Sequence, residues 1–182
     1  MLGRRSLLLA SGAGALLAAC GGDTASPPAR PGVTRADIGL LNKLLAFERL
    51  EAAFYRAAAD RDARFADLAR QEAAHVDALT RAVRGAGGRP VAPGGPLRLP
   101  DRDAVPALAL RIEERRAAAS LDVVSKLENA GLLATGLSMH AVEARHVIAL
   151  RDLAGVALAP TEPLGAPLAA AAALAEVRTW LT

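Results

Sequence analysis

Between Thr34 and Gly155 apolar residues return every three or four positions, the period of a helix that turns one face toward a core. Thr34, with Asp37 three residues on, forms a helix-start signature ahead of Ile38, Leu41, Leu44, Leu45 and Phe47, and predicts a first helix to about Asp60. A second, from Asp62 or Ala63, presents Phe65, Leu68, Val76, Leu79 and Val83 before the GAGG at 85–88 stops it. Asp103 is placed to cap a third helix, with Pro106 in its first turn and Leu110, Ala117, Leu121 and Val124 along it. The pattern weakens at Asn129 and Gly131. A fourth helix then follows through Met139, Val147, Leu150 and Leu153 to Gly155. Beyond a Pro-rich link, roughly 167–181 predicts a fifth, Ala-rich helix.

Loop lengths convert these elements into a topology. Helices one and two, and three and four, are joined by a few residues each, so both pairs should be antiparallel hairpins. Between the hairpins lie the nineteen residues 85–103, GAGGRPVAPGGPLRLPDRD. At roughly 3.3 Å per residue that stretch can cross a helix of about 30 Å and restart at its other end. Two hairpins and one long crossover describe an all-α, ferritin-like four-helix bundle, here with an added C-terminal helix.

Two inward rows carry an anomaly. The octets EAAHVDAL from Glu72 and EARHVIAL from Glu143 agree at six of eight positions, and they use two of the chain's three histidines. In each, a Glu and a His three apart lie on one helix face within reach of a common metal ion. The rows Leu68, Glu72, His75, Leu79 and Met139, Glu143, His146, Leu150 put these polar pairs where core belongs. Buried there, a carboxylate and an imidazole are costly unless something satisfies them, and a divalent ion satisfies both. A metal-free duplicated hairpin with hydrogen-bonded histidines is the alternative. With nine Glu in 182 residues, chance seldom sets one three places before two of three histidines.

A di-metal site in such a bundle needs one further Glu from each of the other two helices. Helix one offers Glu48 and Glu51, helix three Glu113 and Glu114. Midway along the chain between Glu48 and the Glu72/His75 pair lie Asp60 and Arg61; midway between Glu113 and the Glu143/His146 pair lie Glu128 and Asn129. Both midpoints fall at predicted turns, so all four helices can present ligands at one height. Glu51 or Glu114 would shift the midpoints too little to separate neighbours. His140 lies off the ligand row and is expected at the surface, and Tyr55 is expected as a core aromatic.

Composition narrows the function. Aromatics are only 3% and hydrophobic residues 52%, which favours close-packed helices over a β-sandwich. The net charge of +3 includes Arg4 and Arg5 of an expected leader segment; setting these aside leaves 20 basic against 19 acidic residues. No basic stripe with interleaved aromatics marks a nucleic-acid binder. The opening MLGRRSLLLASGAGALLAAC has a basic start and a short apolar run, too short to span a membrane with flanks. Leu17, Ala18, Ala19 and Cys20 resemble a bacterial lipobox, with Cys20 as the lipidated residue; Arg4 to Leu8 also resemble a twin-arginine signal, general secretion being the alternative. The organisation expected is a leader at 1–20, a flexible tether at 21–33, the bundle at 34–155, and a link with the last helix at 156–182.

LNKLLAFERLEAAFY, from Leu41, resembles the first helix of bacterioferritins, with the Glu at Glu48 and an aromatic one heptad on at Tyr55. SMHAVEARH, from Ser138, resembles the fourth helix of exported bacterial ferritin-like domain proteins, and ungapped extension backward sets that family's third-helix Glu on Glu113. The resemblance implies Glu48 and Glu113 as terminal ligands, His75 and His146 as one cap per metal, and Glu72 and Glu143 as bridges. One departure is Ser120, where the family often has a Tyr seven residues after the third-helix Glu. Hard oxygen donors with two imidazoles and no thiolate suit two ions of iron or manganese. The expectation is an envelope protein, anchored through lipidated Cys20 and facing the periplasm or exterior, that handles metal or performs O2- or peroxide-linked oxidation. The partners expected are the membrane, metal ions and a second copy of the chain in a homodimer. Manganese catalase-like peroxide disposal and a non-catalytic helical lipoprotein with a degenerate site are the alternatives.

Overall fold

The computed structural model describes residues 32–159 and 166–182 of the 182-residue chain. The leader, Cys20 and most of the tether lie outside the described residues. Five α-helices and no strand occur among those described: α1 Arg35–Ala59, α2 Ala66–Gly85, α3 Val105–Val124, α4 Ala130–Leu153 and α5 Ala170–Thr179. The protein is all-α. None of these helices is long and apolar enough to cross a membrane.

Local chemistry sets the helix ends. The Thr34 hydroxyl accepts from Asp37 N at 3.0 Å while Asp37 Oδ2 accepts from Thr34 N at 3.0 Å, satisfying two orphan donors at the start of α1. Asn129 Oδ1 does the same for α4, accepting from Gly131 N and Leu132 N. At the end of α2, Gly87 turns the chain with a φ of 77°, which costs a glycine little. Asp103 does not cap α3 as expected. It sits inside a 3-10 turn, Arg102–Ala104, and α3 starts after Ala104 with no side-chain cap and Pro106 in its first turn. Pro needs no hydrogen bond there, so fewer donors are left orphaned.

Side-chain bonds trace the crossover. Asn42, near the start of α1, donates to Arg89 O at 3.1 Å and accepts from Val91 N at 2.7 Å. Arg61, just past the end of α1, donates to Pro100 O at 2.9 Å. Residues 86–101 therefore run beside the full length of α1, and α3 begins where α1 ends. The α1–α3 pairings fit that reversal: Tyr55 meets Glu113, Glu48 meets Arg116, and Asp37 meets Glu128. In α2 and α4, Gln71 meets His146 and His75 meets Glu143, so this pair is antiparallel too.

Leu41, Leu44, Leu45, Phe47, Phe54 and Tyr55 of α1 pack with Phe65, Leu79, Val83, Ile112, Val123 and Leu150, all nearly or wholly buried. Each such apolar side chain contributes about 2 kcal/mol of burial. The fifth helix closes the α3 side. Leu168 N donates to Ala118 O, Arg115 pairs with Glu176 at 2.8 Å, and the Arg111 guanidinium lies 4.0 Å above the Trp180 ring.

Candidate metal centre

All six side chains singled out in the sequence converge inside the bundle at one level. Glu48, Glu72, Glu113 and Glu143 are fully buried, and the side chains of His146 and His75 are 5% and 12% exposed. Around His75 Nδ1 stand Glu143 Oε1 at 3.1 Å, Glu48 Oε2 at 3.3 Å and Glu72 Oε2 at 3.5 Å. Around His146 Nδ1 stand Glu72 Oε1 at 3.0 Å, Glu143 Oε2 at 3.3 Å and Glu113 Oε1 at 3.5 Å. Each set brings its donor atoms within 4.8 Å of one another. Glu72 and Glu143 belong to both sets, each giving one oxygen to either side. The two imidazoles face each other across the centre with ring centroids 6.2 Å apart.

These approaches have ionic distances but miss hydrogen-bond angles. Both oxygens of Glu72 and of Glu143, Glu48 Oε2, Glu113 Oε2 and the Nδ1 of both histidines are buried without a hydrogen-bond partner. Buried polar atoms left unpaired are costly, and a bound cation would satisfy those that converge here. The donor set is therefore compatible with metal binding.

The surroundings aim the donors. Tyr55 donates to Glu113 Oε1 at 2.7 Å, so this aromatic is more than the core filler expected from sequence. His146 Nε2 lies 3.1 Å from Gln71 Oε1, a contact that holds the ring with Nδ1 turned toward the carboxylates. Glu51 is fully buried beside the cluster but outside both converging sets. Glu114 instead pairs with Arg151 at 2.8 Å and is 40% exposed. His140 corrects another expectation: it is half-buried, with Nδ1 2.6 Å from Ser120 Oγ, and outside the centre.

Sequence reasoning missed Arg116. It is fully buried, donating through Nε and Nη2 to Glu48 Oε1. Its signal was present, since it follows Glu113 by one turn on the inward face, but RIEERR looks like a solvated charge run. Five carboxyls (Glu48, Glu51, Glu72, Glu113 and Glu143) thus surround one buried guanidinium.

The electrostatics are those of a crowded, dry anionic site. Burial raises Glu48 to about 7 despite Arg116, and raises Glu113 to about 8 despite His146. Burial, then the charge of Glu113, holds Glu51 well above the carboxylate range. For Glu72 and Glu143 burial is outweighed, by the two histidines at Glu72 and by Arg116 and the histidines at Glu143, and both are lowered. Burial would lower His75 and His146, but the surrounding carboxylates push them up to about 12 and about 11.

The family model described as "Ferritin-like domain" matches residues 36–156. A solved structure of a conserved hypothetical protein from Mycobacterium tuberculosis superposes with a TM-score of 0.58 at 19% identity, covering 65% of this chain and 96% of that one. At that identity the likeness establishes the fold. No curated protein matches. With the family model spanning the whole four-helix bundle, the chain belongs to the ferritin-like domain family.

Proposed function

We propose that the chain binds two divalent ions of iron or manganese, with His75 and Glu48 terminal to one, His146 and Glu113 terminal to the other, and Glu72 and Glu143 shared. The observation that supports this is the sharing itself: each bridging carboxylate turns one unpaired oxygen to each imidazole. When bound, such a pair of ions supplies two adjacent one-electron centres at which O2 or peroxide can be reduced. The chain's residues hold the donors rigid on four helices and exclude water. Tyr55 and Arg116 each occupy one oxygen of a terminal carboxylate, at Glu113 and Glu48. The reaction proposed is O2- or peroxide-linked oxidation, or metal handling by the same centre, on a protein exported and anchored through Cys20.

Elemental analysis of the purified full chain tests the reading, with about two ions per chain expected. A double E72A/E143A variant should lose them, because both positions lose a shared ligand. Full metal retention by that variant rejects the site, and failure of the chain to incorporate labelled lipid in a bacterial envelope rejects the anchor.

A further inference from the structure

Arg116 makes the two halves of the centre unequal. Its partners within 4.0 Å are Glu48, Glu51 and Glu143. Glu48 serves only the His75 set. Glu143 serves both, yet Arg116 Nη2 lies 3.8 Å from its Oε1, the oxygen facing His75, whereas Oε2 faces His146. The positive charge thus bears on the His75 side. His75 is also the more open imidazole, at 12% exposure against 5%.

We propose that the two positions fill in order: the first divalent ion enters the set Glu72, Glu113, Glu143 and His146, and the second enters the set Glu48, Glu72, Glu143 and His75 more weakly, with Arg116 setting the gap. This rests on the two-ion reading above. A unit charge a few Å from one divalent position, at the effective dielectric of a protein site, opens a gap on the order of 100-fold in affinity. The His75 position is then the exchangeable one.

Anaerobic titration of the full chain with Mn(II), followed by calorimetry and electron paramagnetic resonance, tests the order. The expected result is a tight first equivalent with the spectrum of an isolated ion, and a weaker second equivalent that brings exchange coupling. R116Q should narrow the gap by about tenfold or more. H75A should keep the tight step and lose the weak one, and H146A should lose the tight step; this pair decides the order even if R116Q does not fold. Equal affinities in the native chain, loss of the tight step in H75A, or an unchanged gap in folded R116Q overturns the proposal. Binding of no Mn(II) at all would instead remove the two-ion reading on which it stands.

Discussion

The phenol of Tyr55 donates a 2.7 Å hydrogen bond to Glu113 Oε1, and both side chains are fully buried. Burial, and then the charges of Glu113 and Glu51, push the phenol pKa well up, so it stays protonated and keeps donating. Y55F preserves the ring contacts with Phe54 and Phe65 but removes the donor. The expected result is a loss of about 1–2 kcal/mol in metal-free stability and about a tenfold or greater loss of affinity at the Glu113 position. Urea unfolding and Mn(II) calorimetry would measure both. Unchanged affinity would show that the phenol does not orient the ligand.

Ion removal should weaken the fold, and Glu51 is the place to see why. Without ions the centre buries five carboxyls and two imidazoles whose facing atoms lack hydrogen-bond partners, a cost that the loaded protein does not bear. Saturating Mn(II) should raise Tm, because only the folded state presents the site. Because burial holds Glu51 well above the carboxylate range, folding near neutral pH must protonate it or bury its charge, a cost that Gln does not carry, so E51Q should raise the Tm of the chelated protein by about 2–4 °C for each 1 kcal/mol relieved. Scanning calorimetry in chelator would check this, and a lower Tm for E51Q would show that Glu51 is needed as the partner of Arg116.

The bundle and the ligand rows were legible because both are periodic. A Glu and a His three apart on an apolar row name their own face, and the loop lengths order the helices. The choice between Glu113 and Glu114 was not legible: adjacent residues differ by 100° around a helix but hardly in height. Side-chain placement separates them, with Glu113 turned into the cluster and Glu114 paired with Arg151 outside it. Arg116 was hidden for a related reason. A charge inside a charged run looks solvated, and only the three-dimensional meeting with Glu48 and Glu143, 68 and 27 positions away in sequence, shows that it is not. The cap of α3 was misplaced because a polar residue ahead of a helix is a common signal, and a short 3-10 turn absorbed Asp103.

Gly136 sets how closely α4 approaches α3. A Cβ there would stand 2.8 Å from Val124 Cγ1 and 3.4 Å from Leu127 Cδ1. G136A should therefore destabilise by about 1–3 kcal/mol through overpacking, less up to about 1 kcal/mol of gained helix propensity. Because Glu143 lies two turns along the same helix, the displacement should also weaken Mn(II) binding. Restoring space with V124A in the G136A background should recover both, and calorimetry with urea titration would show whether it does. No rescue would place the cost elsewhere than this contact.

Asp37 joins the start of α1 to the turn between α3 and α4, accepting from Thr34 N with Oδ2 and from Glu128 N with Oδ1, each at 3.0 Å. Burial alone would raise its pKa, but the backbone donors of Thr34 and Glu128 outweigh it and lower the pKa below 3.8. A carboxylate depressed in the folded state stabilises it fully above the unfolded value, and the contribution is lost as pH falls through the folded value. D37A should therefore cost about 2 kcal/mol at neutral pH, from two charge-assisted hydrogen bonds and a helix cap. The difference between D37A and the native chain should shrink as pH falls from 3.8 through the lower folded value. Urea midpoints of both proteins across that range would measure it, since other acid-titrating groups act on both and cancel. A difference that stayed constant into strong acid would mean that Asp37 acts by shape and neutral hydrogen bonding, and that its charge does not hold the α3–α4 turn against α1.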